Sequence, residues 1–245
     1  MKKLSILDVR VDSVFLEEIK QITLHLIAEK KSSIFVSLGS LTVMLARKDL
    51  AYRALIAEAE LVICDGAGVA LALKYLTGEE IPRIPGVDLV PFFAKLSEEK
   101  GFKLFLLGAK EDVINRANDL LKINFPNVNI CGYLNGYFDI INSNEVIKTI
   151  KRASPDILIV GLGQPAQEKW LKENLKDLSV PVTIGVGGSF DVIAGKIVRA
   201  PVIFRKLGLE WLFRMIIEPW RIKRNFALVG FVCLIIKNKF KGGKE

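Results

Sequence analysis

The chain has 245 residues, 51% of them hydrophobic, and a formal net charge of +8. That is enough apolar material for one large α/β domain, or one domain with an appendage, and too much for a disordered chain. The three cysteines, Cys64, Cys131 and Cys233, form no C-x-x-C pair, which argues against a disulfide scaffold or a zinc ribbon and suits a reducing compartment.

The N-terminal stretch "MKKLSILDVRVDS" carries two lysines, but charges interrupt every apolar run, so it does not read as a signal peptide. The sole histidine, His25, lies in a helix-like segment where a structural role is expected. "SIFVS" (33–37) is the first strand candidate and "LVICD" (61–65) the second. The latter ends on Asp65, followed by Gly66, Ala67 and Gly68 and a helix-like pattern to Leu76. Asp65 has two readings from its position: an N-cap for that helix, or a general base at the mouth of a sheet. Arg83 sits between prolines in "EEIPRIPGVDL", as a solvated loop arginine or as a rigidly held clamp for a phosphate or oxyanion.

"KLFLLG" (103–108) ends on Gly108 and leads into an amphipathic helix over Glu111–Asn124, with Asp112 as the expected N-cap. "VNICG" (128–132) precedes a helix over Asn144–Ala153, with Ser143 as the expected cap and Val146, Ile147 and Ile150 on one face. "DILIVG" (156–161) runs into "VGLGQPAQEKW", where Gly161 and Gly163 mark a turn. Gln167 falls near the start of the next helix, as an ordinary first-turn polar residue or as a hydrogen-bonding group for sugar hydroxyls. "VTIGVG" (182–187) runs into "GVGGSFDVIAG", with Gly185, Gly187 and Gly188. Glycine serves a tight strand-to-helix turn, and it also lets backbone N–H groups approach a phosphate. None of these turns is a G-x-G-x-x-G or a G-x-x-x-x-G-K-[ST], which disfavours a nicotinamide oxidoreductase and P-loop chemistry.

Mostly continuous apolar strands alternating with amphipathic helices predict an α/β fold with a doubly wound, mostly parallel, Rossmann-like sheet over residues 1–195. Ligands on such sheets bind at the carboxyl ends of the strands. Residues 196–245 have a different texture. They hold twelve Lys/Arg against three Glu, a net of +9, which leaves −1 for residues 1–195. Gly208 and Pro219 divide this basic helical appendage into about three short helices. Arg214, Arg221 and Arg224 fall at i, i+7 and i+10 and interleave with Trp211, Phe213, Trp220 and Phe226. That combination marks a helix lying in a membrane interface, with a basic face on an ordinary terminal helix as the plainer alternative. Nucleic-acid binding fits badly with the apolar run "FALVGFVCLII", and its eleven residues fall short of the roughly 20 needed to span a bilayer.

No Ser-His or Cys-His arrangement can be built, and no His, Cys or carboxylate cluster has metal-ligand spacing. An enzyme made from these residues would move protons with carboxylates and stabilise anions with arginines.

Six long stretches, in order, resemble the WecG/TagA/CpsF glycosyltransferases: "AELVICDGAGV" (59–69), "RIPGVDL" (83–89), "FLLGAKEDV" (105–113), "PDILIVGLGQPAQEKW" (155–170), "GVGGSFDVIAGKIVRAP" (185–201) and "LGLEWLFRMIIEPWRIKR" (207–224). The resemblance covers nearly the whole chain. It implies an inverting transferase that uses no metal or other cofactor. Its substrates would be a UDP-sugar donor, with N-acetylmannosamine as the expected sugar, and undecaprenyl-diphosphate-linked N-acetylglucosamine, as in wall teichoic acid synthesis. The related uronic acid transfer, other exopolysaccharide assembly and a non-catalytic nucleotide-sugar-binding protein are the alternatives. The resemblance implies Asp65 as the base for the acceptor hydroxyl and Gln167 in the sugar pocket. It places Arg83, Arg214, Arg221 and Arg224 near the diphosphates, and Gly185–Gly188 with Asp191 around UDP. Ser37, Gly108 and Gly163 complete the expected binding residues. It further implies a peripheral enzyme on the cytoplasmic face of the membrane, docked there through residues 200–245, that forms homo-oligomers in solution. One stretch departs from the family. Where a Thr-x-Asn-Ala-type sequence is usual, this chain reads Ser37-Leu38-Gly39-Ser40, which keeps a hydroxyl and lacks the amide. That difference bears on which sugar is accepted.

Overall fold

The first two strands were not anticipated, and they form a hairpin. β1 (Lys2–Ile6) and β2 (Val9–Ser13) pair antiparallel, with Ile6 opposite Val9. Only Leu7 and Asp8 connect them, both at positive φ (49° and 65°), the geometry of a two-residue type I′ turn. Such turns are usually written Asn-Gly or Asp-Gly, so Leu-Asp gives no sequence signal. Arg10 and Asp12 lock the hairpin down. Asp12 is fully buried, accepts from the Val62 amide at 2.8 Å and pairs with Arg10 at 2.8 Å. Arg10 also donates to the carbonyls of Ala57, Ala59 and Glu60.

The structure is a computed structural model that describes residues 1–201, 203–204, 213 and 222–242, the side chains of 222–227, 241 and 242 excepted. After the hairpin come α1 (Leu16–Ala28), β3 (Ser33–Leu38), α2 (Ser40–Lys48), α3 (Leu50–Glu58), β4 (Leu61–Cys64), α4 (Ala67–Thr77) and α5 (Gly86–Lys100). Then follow β5 (Lys103–Gly108), α6 (Glu111–Asn124), β6 (Asn129–Leu134), α7 (Asn144–Ala153), β7 (Ile157–Gly161), α8 (Ala166–Leu178), β8 (Val182–Gly185), α9 (Ser189–Ile193) and α10 (Ile222–Gly242).

The strands form one eight-stranded sheet in the order β1-β2-β4-β3-β8-β7-β5-β6, parallel except for β1. Alternate strand residues feed two cores. Val36, Val62, Phe105 and Val160 pack with α2, α3, α4, α7, α8 and α10. Phe35, Ile63, Leu106 and Ile159 pack with α1, α5, α6 and α9 on the other face. This is the doubly wound α/β fold with a C-terminal helical appendage that the alternation predicts.

Two expected caps resolve differently. Ser143 does occupy the N-cap of α7, but its hydroxyl accepts from the Trp170 indole N–H at 2.9 Å and makes no cap bond. Asp112 is not a cap. Lys110 holds that position, and Asp112 lies in the first turn of α6, paired with Lys196 at 3.2 Å. Gly208 and Pro219 lie outside the described residues. The last helix of the appendage is not short: α10 runs unbroken for 21 residues. No helix among the described residues is long and apolar enough to cross a membrane.

Candidate functional site

The loops after β3 and β7 turn toward one face of the sheet and the loop after β8 toward the other, so a crevice opens above β8. Open α/β sheets bind ligands at such switch points. Here the crevice is a cavity of about 1040 Å3. The ends of β3, β4 and β8 form its floor, and α4 and α10 form one wall.

Asp65 stands at its centre. Its amide donates to the Leu38 carbonyl at 3.1 Å, extending the β3–β4 ladder by one residue. Its Oδ2 accepts from the Ser37 hydroxyl at 2.6 Å. The proline-rich loop folds back over the same strand end. Ile84 N–H donates to the Cys64 carbonyl at 2.8 Å, and Arg83 Nε donates to the Asp65 carbonyl at 2.9 Å. A carboxylate and a guanidinium are thereby fixed to one backbone segment. The neighbouring Cys64 thiol is pushed up to about 12 by burial and then by the Asp65 charge, with Arg83 opposing. It is no thiolate nucleophile at neutral pH.

Three helices of nine residues or more start at this cavity. The first residues of α2 (Ser40, Leu41), α4 (Ala67, Gly68) and α5 (Gly86, Val87) all line it. Their positive dipole ends favour an anionic ligand. The close approach needs glycine. A Cβ on Gly66 would stand 3.3 Å from the Gly39 Cα, and one on Gly68 would collide with the Ser40 hydroxyl.

The far wall is apolar. Leu71 and Tyr75 of α4 face Val229, Val232 and Ile236 of α10 across the cavity mouth, and all five are exposed. Phe231 and Ile235, on the adjoining stripe of α10, are buried in the core. Lys239 closes the far end, with Nζ 5.5 Å from the Tyr75 ring centroid and donating to the Leu76 carbonyl at 3.3 Å. The site is thus polar at the sheet, with one carboxylate and one guanidinium, and apolar toward the appendage. Among the described residues no three His, Cys, Asp or Glu side chains are grouped to hold a metal ion.

Comparison with known proteins shows the family. The model of the glycosyl transferase WecG/TagA/CpsF family matches residues 4–245. The N-acetylglucosaminyldiphosphoundecaprenol N-acetyl-beta-D-mannosaminyltransferase of Bacillus subtilis (strain 168) is 33% identical over 215 residues, 88% of this chain and 83% of that protein. The protein of the same name from Staphylococcus aureus (strain NCTC 8325 / PS 47) is 38% identical over 191 residues, 78% of this chain and 74% of that protein. The chain belongs to the WecG/TagA/CpsF glycosyl transferase family.

In this member of the family the structure brings Ser37, Asp65, Arg83, Gly163, Gly187 and Gly188 to one cavity. The N-cap reading of Asp65 is corrected: the N-cap of α4 is Gly66, and the Asp65 carboxylate turns to Ser37 instead. Gly108, Gln167, Gly185 and Asp191 do not line the cavity. Gly108 packs its Cα face against Gly161. Gln167 is fully buried beneath the floor, its Oε1 accepting from the Gly187 amide at 3.0 Å. Gly185 leaves the space that the Gln167 side chain fills. Asp191 stands beside Gly188 at the rim, and its carbonyl accepts from Lys196 and Ile197. Arg214 and Arg221 lie outside the described residues, as does the Arg224 side chain, although its backbone belongs to α10. His25 is exposed in the last turn of α1, away from the cavity.

Gln164 and Thr42 line the cavity and were not anticipated. Gln164 Nε2 donates to the Ser37 carbonyl at 2.8 Å, and its Oε1 accepts from Thr42 Oγ1 at 2.7 Å. The Gln164–Pro165 peptide bond is cis. Pro165 was the available signal: proline at a helix start puts the residue before it in the loop at the strand end and the following ones inside the helix. Of the two glutamines in this motif, Gln164 is therefore the one that lines the cavity.

Proposed function

We propose that this chain transfers N-acetylmannosamine from a UDP donor to N-acetylglucosaminyldiphosphoundecaprenol, the acceptor named for its Bacillus and Staphylococcus relatives. The observation that carries the proposal is the position of Asp65 at the junction of the polar and apolar parts of one cavity. The Asp65 carboxylate takes the proton of an acceptor sugar hydroxyl as that oxygen attacks the anomeric carbon. The bond from that carbon to the UDP oxygen breaks, and UDP leaves with the electron pair. A single displacement of this kind inverts the anomeric centre. Arg83 and the N-termini of α2, α4 and α5 stabilise the charge that develops on the diphosphate. The backbone of Gly187 and Gly188 borders the donor, and Gln164 and Thr42 meet the sugar.

The exposed apolar wall of Leu71, Tyr75, Val229, Val232 and Ile236 suits the first isoprene units of an acceptor that never leaves the bilayer. α10 carries five Lys/Arg and no acid, so it approaches an anionic leaflet favourably. In this proposal residues 1–195 are the catalytic core, residues 196–245 bring it to the cytoplasmic face of the membrane, and Arg214, Arg221 and Arg224 reach the diphosphates. Oligomerisation in solution would cover the same apolar wall.

The test is a transfer assay that offers several UDP-sugars to a short-chain prenyl-diphosphate–N-acetylglucosamine, with and without EDTA. UDP-N-acetylmannosamine is expected to be the best donor and EDTA to have no effect. Asp65→Asn is expected to lower turnover by about 100-fold or more, the usual contribution of a general base, with UDP affinity unchanged. UDP-sugar binding without transfer to any lipid-linked acceptor would overturn the catalytic assignment. Wild-type turnover in the Asn variant would overturn the base.

A further inference from the structure

Beneath the cavity floor lies an acid that the transfer step does not use. Glu168, in the first turn of α8, is 0% exposed. Its partners are ordered by a simple constraint. The Gly187 amide can only donate, so the end of the Gln167 side chain that meets it at 3.0 Å is the oxygen. The Gln167 amino group must then face away, and it donates to Glu168 Oε1 at 2.6 Å. The other carboxyl oxygen, Oε2, lies 3.1 Å from the buried Tyr52 hydroxyl. The Gln164 side chain also favours the charged form of this carboxyl, and its Nε2 donates to the Ser37 carbonyl at 2.8 Å. Ser37 is the residue that donates to Asp65.

We propose that Glu168 is the positioning residue of the transfer site, a single buried carboxyl that sets the Gly187 turn through Gln167 and the Ser37–Asp65 pair through Gln164. The proposal deepens the transferase reading and rests on it for the identity of the ligand. Packing alone does not explain the residue. Trp170 and Leu171, both fully buried, already seat α8 on the sheet. An apolar side chain at 168 would fill the space without desolvation cost, but it would strand the Gln167 amino group without an acceptor. Burial pushes the Glu168 carboxyl up, against hydrogen bonds from Gln167, Tyr52 and Gln164, so the fold carries a cost here that a structural filler would avoid. What the carboxyl supplies is two fixed oxygens between the loops after β7 and β8.

The experiment compares full-length wild type, Glu168→Leu, Glu168→Gln and Tyr52→Phe. It reads kcat, donor KM, UDP affinity, melting temperature and amide hydrogen exchange over residues 163–166 and 186–189. In Glu168→Leu, measured well below its melting point, kcat is expected to fall about tenfold and donor KM to rise about fivefold, the scale of one or two buried hydrogen bonds. Exchange is expected to accelerate at both loops. Glu168→Gln presents an oxygen to Gln167 and an amino group to the Tyr52 oxygen, and should recover both constants to within about threefold of wild type. Should the Leu variant not fold, Tyr52→Phe reads the same network without loss of volume, and exchange should rise at both loops. A Leu variant (or, in its place, Tyr52→Phe) with a lowered melting point but wild-type kcat, KM and loop exchange would overturn the proposal. So would a folded Gln variant as impaired as Leu. A wild type that neither binds UDP nor transfers sugar would instead refute the transferase reading, and the exchange data would still decide the role of Glu168.

Discussion

The contact that most directly tests the site is the 2.6 Å bond from the Ser37 hydroxyl to Asp65 Oδ2. Ser37→Ala removes one oxygen from a position that is 2% exposed, 3.3 Å from where a Gly86 Cβ would stand. Ser37 lines the open cavity, so a water can enter beside the alanine methyl and return part of the lost bond. A hydrogen bond to a charged partner is worth about 1.5–3 kcal/mol, which equals roughly 10- to 150-fold in rate if all of it orients the carboxylate in the transition state. Losing a donor also raises the carboxylate's affinity for a proton, which improves it as a base and returns part of the loss. The net expectation is a fall in kcat of about tenfold, with UDP affinity within about twofold of wild type because Ser37 touches the base and not the Gly187 turn. Steady-state transfer to the short-chain acceptor and calorimetry with UDP measure the two quantities. A folded Ala variant that binds UDP normally and turns over within about twofold of wild type would refute the claim that Ser37 orients a catalytic Asp65.

Glu168→Gln should change the pH dependence of stability. Burial holds the Glu168 carboxyl above its ordinary value of 4.5, so its contribution is complete below that value and is lost as pH rises through the higher folded one. The melting point of the Gln variant relative to wild type should therefore rise as pH is raised from about 4.5, and a constant difference across that window would contradict the burial argument. A maleimide should label exposed Cys233 first and leave Cys64 untouched in the native protein. Because Cys233 lines the cavity, a bulky adduct should block the prenyl acceptor while UDP still binds, and full transfer activity of the labelled enzyme would count against an acceptor at the α10 wall. The double substitution Val232→Glu with Ile236→Glu should weaken binding to anionic vesicles by about tenfold or more, since each apolar side chain buried in lipid contributes about 1.5–3 kcal/mol. Unchanged vesicle sedimentation would remove α10 from the membrane contact. Arg10→Ala strips the buried Asp12 of its cation and is expected to cost about 3 kcal/mol in urea unfolding with kcat unchanged. A loss under about 0.5 kcal/mol would show that the hairpin is held by other contacts.

Most of the sheet was legible because buried parallel strands are written as unbroken apolar runs. "KLFLLG" matches β5 residue for residue, and "SIFVS", "DILIVG" and "VTIGVG" match β3, β7 and β8 to within two residues at an end. The hairpin was illegible because its turn residues, Leu7 and Asp8, adopt positive φ without the glycine that usually announces it. The length of α10 was obscured because an apolar run flanked by lysines reads alike as a short core helix or as part of a longer interfacial one.

At the site, composition and motif settled which residue types were available: a carboxylate after β4, an arginine between prolines, and glycines at three strand ends. Those follow from local rules, since a strand end, a turn and a helix start each leave a mark over a few residues. Which of them meet was decided by strand order. β3 and β8 are neighbours although 144 residues separate Leu38 from Val182, and only that pairing sets Ser37, Asp65 and Gly187 around one cavity. The same pairing sends Gln167 under the floor and leaves Gln164 on it, because α8 must turn its buried side to β8. A period of 3.6 residues says that a helix has a buried face, but the neighbour that covers that face comes from distant chain, and only the packed sheet determines it.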